Sequence, residues 1–164
     1  MINFILYAIL FYVAAVLQTV VVPLIQILNA QPSFLLILTV IAALRHGTLA
    51  GCLFGFFSGL ICDVYAPIEW FGAFSLSYCI TGFIVGQIEE SFIDLNLLPE
   101  IIVLTVAYFI KDLIYFIAIG KKSEEIFQAI IYASGPNAIY TVSIGAIFCY
   151  LLSPRIEKKM NVYK

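Results

Sequence analysis

Charge is scarce in this sequence. Only 11% of its 164 residues are Asp, Glu, Lys or Arg, where a water-soluble domain carries about a quarter. Too few polar groups exist to cover a surface, so the solvent for most of the chain is lipid. Long polar loops are missing too, and no connection exceeds about 15 residues. Basic residues form no stripe and the net charge is −2, which excludes a phosphate-neutralising nucleic-acid protein. There is one histidine, His46, with no second ligand beside it. The four cysteines (Cys52, Cys62, Cys79, Cys149) sit inside apolar runs without CxxC or Cys/His spacing, as small buried hydrophobes do. No HExxH, GxS or nucleophile–base pattern is present. No catalytic residue, metal site or cofactor is therefore expected, and the reading is that of a non-enzyme.

What the chain has is hydrophobic length. Apolar residues make up 63%, and the mean hydropathy is +1.09. A bilayer core about 30 Å thick needs roughly 20 apolar residues per helical crossing. The first candidate span runs from about Ile2 to Val22. The opening "MINFILYAIL" lacks a basic n-region and a small-residue cleavage site, so it reads as a retained span rather than a signal peptide. "PSFLLILTVIAAL" (Pro32 to Leu44) follows, about 19 Å long as helix. It is too short for an ordinary crossing, so it is either a short buried helix or one arm of a helical hairpin turned at Arg45, His46 and Gly47. The third segment is Thr48 to Val64, the fourth Phe71 to Ile88, and the fifth Pro99 to Ile119. The last, Ile126 to Leu152, is interrupted by "SGPN" at 134–137, which predicts a kink or a short interfacial helix before the final span. Between them lie an aromatic-flanked turn (Tyr65 to Trp70), an acidic loop ("EESFIDLNLLPE") and a basic tail over 153–164.

Six segments, the second short, define an all-α polytopic bundle in a single integral domain, 1–164, with both termini on one side. Arg45, Arg155, Lys158, Lys159 and Lys164 fall on that side, against Lys121 and Lys122 on the other. The positive-inside rule places both termini in the cytoplasm.

Two features stand out within the spans. Gly51, Gly55 and Gly59 recur every four residues and make a groove of exposed backbone, suited to packing inside the chain or to a homodimer or partner interface. Asp63 lies at the end of that groove. A carboxylate in a span costs about 2.5–3.5 kcal/mol on insertion scales and usually faces protein or water. By helical rise, Asp63, Lys111, Asp112 and Asn137 all fall in the outer half of the bundle. They predict an outer-half polar cluster with a Lys111–Asp63 ion pair. The alternative is a wetted Asp63 and a snorkelling Lys111.

The order of these features resembles a known family. "QPSFLLILTVIAALRHGTLAGCLFGFFSGLICDV", followed by "GAFSLSYCITGFIVGQI", is similar to the central signature of the rod shape-determining protein MreD family: a proline opening a short helix, a basic turn, then a glycine-rich helix ending in aspartate. Pro32, Arg45, Gly51, Gly55, Gly59, Asp63, Gly72, Asp112 and Asn137 match the pattern, whereas Lys111 and the Lys121–Lys122 pair do not. The resemblance implies a non-catalytic scaffold of the bacterial cell-elongation machinery in the cytoplasmic (inner) membrane. It would bind the bitopic protein MreC and link MreB filaments to the glycosyltransferase RodA and its transpeptidase partner. It also implies a fold like that of the substrate-binding subunits of vitamin transporters. Such a subunit is the alternative function, although Ala8, Ala14 and Ala15 lack the AxxxA spacing of those subunits.

Overall fold

A computed structural model describes residues 11–24, 31–88 and 97–160, and these residues are helical or in turns. The first part of the expected Ile2–Val22 span, most of the acidic loop and the end of the basic tail lie outside the described residues. Helix α1 (Phe11–Val20) widens into a π-turn at Leu17–Val21 and a 3-10 turn at Val22–Leu24. Helix α2 is Phe34–Val64 and α3 is Ala73–Val85, preceded by a 3-10 turn at Ile68–Trp70. Helix α4 is Leu97–Ala118, α5 is Ser123–Ala129, and a second π-turn at Ile130–Ser134 leads into α6, Gly135–Met160. Both π-turns end two residues before a proline, Pro23 and Pro136. Proline offers no N–H to the preceding turn and its ring crowds the carbonyl four residues back, so the turn widens there. The interruption expected at 134–137 is thus a short helix and a wide turn ahead of the last long helix.

Helix α2 is folded back on itself. At Gly47 the backbone takes φ 78° and ψ −169°, a conformation that a side chain strongly disfavours. The Thr39 and Ser58 hydroxyl oxygens then meet at 3.1 Å. In a straight helix those 19 residues would separate them by about 28 Å. The run is therefore the hairpin that the short second segment and its basic turn allowed. Its first arm, 34–46, is about 20 Å long and cannot cross a 30 Å core. Every residue from Leu35 to Leu44 on it is buried. A helix that is apolar on all sides belongs inside a bundle, and this one is the core around which α1, α3, α4 and α6 pack.

The second arm of α2 is two-faced. Gly51, Gly55, Ser58, Gly59 and Asp63 are buried, whereas Leu49, Leu53, Phe56 and Phe57 are exposed. Its glycine face is filled by α3 of the same chain, running antiparallel. A Cβ on Gly51 would lie 2.9 Å from the Gly82 carbonyl carbon, one on Gly55 2.8 Å from that of Tyr78, and one on Gly59 2.5 Å from the Ser75 nitrogen. Gly82 reciprocates, since its own Cβ would lie 2.6 Å from the Gly51 carbonyl carbon. Backbone thus touches backbone along the pair, the close approach that small-residue faces permit. No room remains on this face for a partner helix or a second copy.

Helix α4 turns Ile102, Val106, Leu113 and Ile117 outward and contacts α6, where Gly145 receives the Leu104 side chain. Among the described residues, three runs are long and apolar enough to cross a membrane by length and composition: Phe34–Val64, taken along both arms of its hairpin, Ile68–Val85 and Leu98–Ala118. Among the described residues, every buried side-chain nitrogen or oxygen has a hydrogen-bond partner. In a lipid setting that is a strict requirement, because no water is present to replace a missing one.

Candidate functional site

The entry to the buried arm of α2 is a problem the rest of the bundle solves. The first N–H groups of a helix have no partner within it, and here they and the residues just before them meet side chains of the other helices. The Gln18 side chain, on the π-turn, accepts from Phe34 N–H at 2.9 Å and donates to the Pro32 carbonyl at 3.3 Å. From α6, Thr141 Oγ1 accepts from Ser33 N–H at 3.1 Å, and Asn137 Oδ1 accepts from Gln31 N–H at 2.7 Å. From α3, Tyr78 Oη shares a hydrogen bond of 2.8 Å with Ser33 Oγ. Three helices thereby converge on the segment Gln31–Phe34. Pro32 is buried within it, just ahead of the Ser33 cap of α2.

Beside this hub, at the end of the bundle away from Gly47, lies a cavity of about 520 Å³. Its walls come from several helices: Gln18 and Thr19, Pro32 and Ser33, Cys62 and Tyr65, Phe74 and Tyr78, Tyr108, Lys111, Asp112, Tyr115 and Phe116 on α4, and Ser134 and Asn137. Lys111 and Asp112 are 5% and 7% exposed. Their charged groups meet at 2.7 Å, with the ammonium 4.3 Å from the centroid of the Tyr108 ring and 5.7 Å from that of Tyr78. Phe74 and Tyr115 stack at 4.1 Å with an 18° interplanar angle.

The structure brings three of the four expected cluster residues together and sends the fourth elsewhere. Lys111, Asp112 and Asn137 line the cavity. Asp63, only 1% exposed, faces the start of α3. Its Oδ1 accepts from Phe74 N–H at 3.0 Å, and its Oδ2 accepts from Ser75 N–H at 2.9 Å and from the Ser75 hydroxyl. The expected Lys111–Asp63 pair is therefore corrected, because Lys111 is paired with its neighbour Asp112. Adjacent residues diverge on a helix, but a lysine's four-carbon stem reaches back far enough to close that gap. Asp63 has a different task. Gly72, at φ 95°, caps α3 without a side chain to hold the orphan N–H groups, and the Asp63 carboxylate supplies that cap from the neighbouring helix. A carboxylate also suits the positive end of the α3 dipole.

Arg45 and His46 lie at the α2 turn, part-exposed and exposed respectively, far along the bundle from the cavity. Gln18, Tyr78, Tyr108 and Thr141 are site residues that sequence reasoning missed. Of these, only Gln18 carried a readable signal, a lone amide in an apolar span. Among the described residues no cluster of three or more His, Cys, Asp or Glu could hold a metal.

A short apolar helix packed among helices long and apolar enough to cross a membrane, with a cavity at its entry, defines an all-helical bundle of membrane-protein type. The chain belongs to the rod shape-determining protein MreD family, whose profile matches residues 1–162. That family is a shape-determining one of bacterial membranes, so the chain has a role in setting rod shape. Comparison with curated proteins finds no match, and comparison with solved structures finds none.

Proposed function

We propose that the chain is a multi-pass scaffold of the cell-elongation machinery in the bacterial cytoplasmic membrane. In this reading six segments enter the bilayer with both termini in the cytoplasm. The bundle binds the transmembrane region of MreC and, with it, joins MreB filaments to RodA and its transpeptidase partner. The observation that carries the reading is the family match over residues 1–162. The packing directs where such a partner can bind. Because α3 fills the face of Gly51, Gly55 and Gly59, a partner helix must use an outward apolar stripe instead, and that of α4 at Ile102, Val106, Leu113 and Ile117 is one such stripe.

Co-expression and purification with MreC tests this. A stoichiometric complex is expected, weakened when Val106 and Leu113 are both replaced by Trp. Recovery of the chain without MreC, under conditions in which both are stably expressed, would sink the reading. The alternative, a substrate-binding subunit of a small-molecule transporter, draws on the cavity alone. It requires an energising partner to co-purify in place of MreC.

A further inference from the structure

We propose that the cavity beside Gln31–Phe34 binds a small planar molecule of zero net charge, carrying amide-type or heterocyclic hydrogen-bonding groups. The inference goes beyond scaffolding and does not depend on which partner the bundle engages. A cavity of about 520 Å³ lies within the usual range of small-molecule sites, roughly 300–1,000 Å³. Its chemistry narrows the occupant.

An ion does not fit. Lys111 and Asp112 are the only charged side chains among the lining residues, and they cancel each other at 2.7 Å. The other nearby carboxylate, Asp63, has both oxygens engaged by α3. Backbone donors at Gln31, Ser33 and Phe34 are engaged by Asn137, Thr141 and Gln18. An anion or a cation would therefore lose its hydration without meeting an uncommitted counter-charge, a heavy cost in a low-dielectric site. An acyl chain fits no better, because it would leave Lys111, Asp112 and Tyr108 facing hydrocarbon.

A neutral planar group matches on both counts. The stacked Phe74–Tyr115 pair forms a flat aromatic wall, and offset or edge-on rings gain about 0.5–1.5 kcal/mol there beyond burial. Thr19, Gln31 and Asn137 line the same space with groups that both donate and accept. Tyr65 stands at the mouth, 72% exposed, so the space is reached from the membrane face where the Tyr65–Pro67 turn lies.

Three isosteric probes test the charge argument: benzamide (neutral), benzoate (anionic) and benzamidinium (cationic). Saturation-transfer NMR would be recorded with the full chain in nanodiscs, and with empty nanodiscs as the blank. Transfer to benzamide at least five-fold above either ion is expected. It should be lost in Phe74→Ala/Tyr115→Ala, which removes the wall, while oxidative cross-linking of Cys52 to Cys79 stays at the wild-type level and reports an intact α2–α3 pair. If that double variant loses the cross-link, Ser134→Phe serves instead, filling the cavity from the α6 side. Equal transfer to all three probes, preference for an ion, or transfer that survives the filled cavity would overturn the proposal. So would a lipid retained in the cavity by native mass spectrometry. None of these results bears on MreC binding, so the two readings fail separately.

Discussion

Replacing Gly55 by alanine is the sharpest test of the α2–α3 contact. The added Cβ would lie 2.8 Å from the Tyr78 carbonyl carbon and 3.1 Å from the Cys79 Cα, with the Tyr78 carbonyl oxygen nearer still. Carbon atoms rest at about 3.5–4.0 Å from one another, so the two helices must part by about 1 Å. Overpacking of this kind costs about 1–3 kcal/mol. Alanine's better helix propensity returns about 1 kcal/mol, leaving a net loss of up to about 2 kcal/mol. The assay is built into the fold, because the Cys52 and Cys79 sulfurs lie 2.9 Å apart across the same contact and both thiols are free. In a background lacking Cys62 and Cys149, copper–phenanthroline should cross-link the wild-type pair rapidly and the Gly55→Ala pair more slowly, with a lower midpoint in detergent unfolding. Gly135→Ala is the control, since its Cβ would meet the Ile130 oxygen at an ordinary 3.8 Å. If Gly55→Ala matches Gly135→Ala in both cross-linking and midpoint, backbone contact is not what holds the pair.

Removing the carboxylate in Asp63→Ala leaves the Phe74 and Ser75 N–H groups buried without partners, at about 1–3 kcal/mol each; amide exchange confined to the first turn of α3 should rise, and unchanged protection there would refute the cap. Lys111→Met alone strands a buried Asp112 charge and should cost about 3–5 kcal/mol, whereas Lys111→Met with Asp112→Leu should be near neutral. A double variant less stable than the single, by unfolding midpoint, would overturn that account of the pair. Gln18→Ala should cost about 1 kcal/mol through the lost cap on Phe34, with raised amide exchange at Phe34 as its signature.

Much of this fold was readable because length is a hard constraint. Thirteen apolar residues after Pro32 cannot span a bilayer, and Arg45–His46–Gly47 supplied a turn, so a hairpin was available from composition alone. The glycine spacing likewise announced a close helix contact, but not which helix fills it. That depends on α3 carrying Gly82 opposite Gly51 and a bare backbone at Tyr78 opposite Gly55, a complementarity visible only when the helices are laid antiparallel. The Asp63–Lys111 pairing failed for a specific reason. Rise per residue fixes how deep a side chain lies and says nothing about which way it faces around the axis. Asp63 is turned toward α3, and the cue was there in Gly72, a helix-opening residue with no side chain to cap its own helix. Tyr78 and Tyr108 looked like ordinary membrane aromatics, because what an aromatic faces on another helix cannot be seen in one segment at a time.

The clamp on Gln31–Phe34 also carries a schedule. Ser33 is bonded to Thr141, 108 residues later, and Gln31 to Asn137, 106 residues later. A ribosome adding about 5–20 residues per second needs on the order of 5–20 s to cover that distance. Throughout that interval, the Ser33 and Gln31 backbone donors have no partner from α6; Gln18, made 16 residues before Phe34, holds the entry of the buried arm first, and Tyr78 reaches the Ser33 hydroxyl once 45 further residues are made. The chain therefore seals its centre last, and a nascent protein stalled anywhere before α6 carries an open, polar-tipped core.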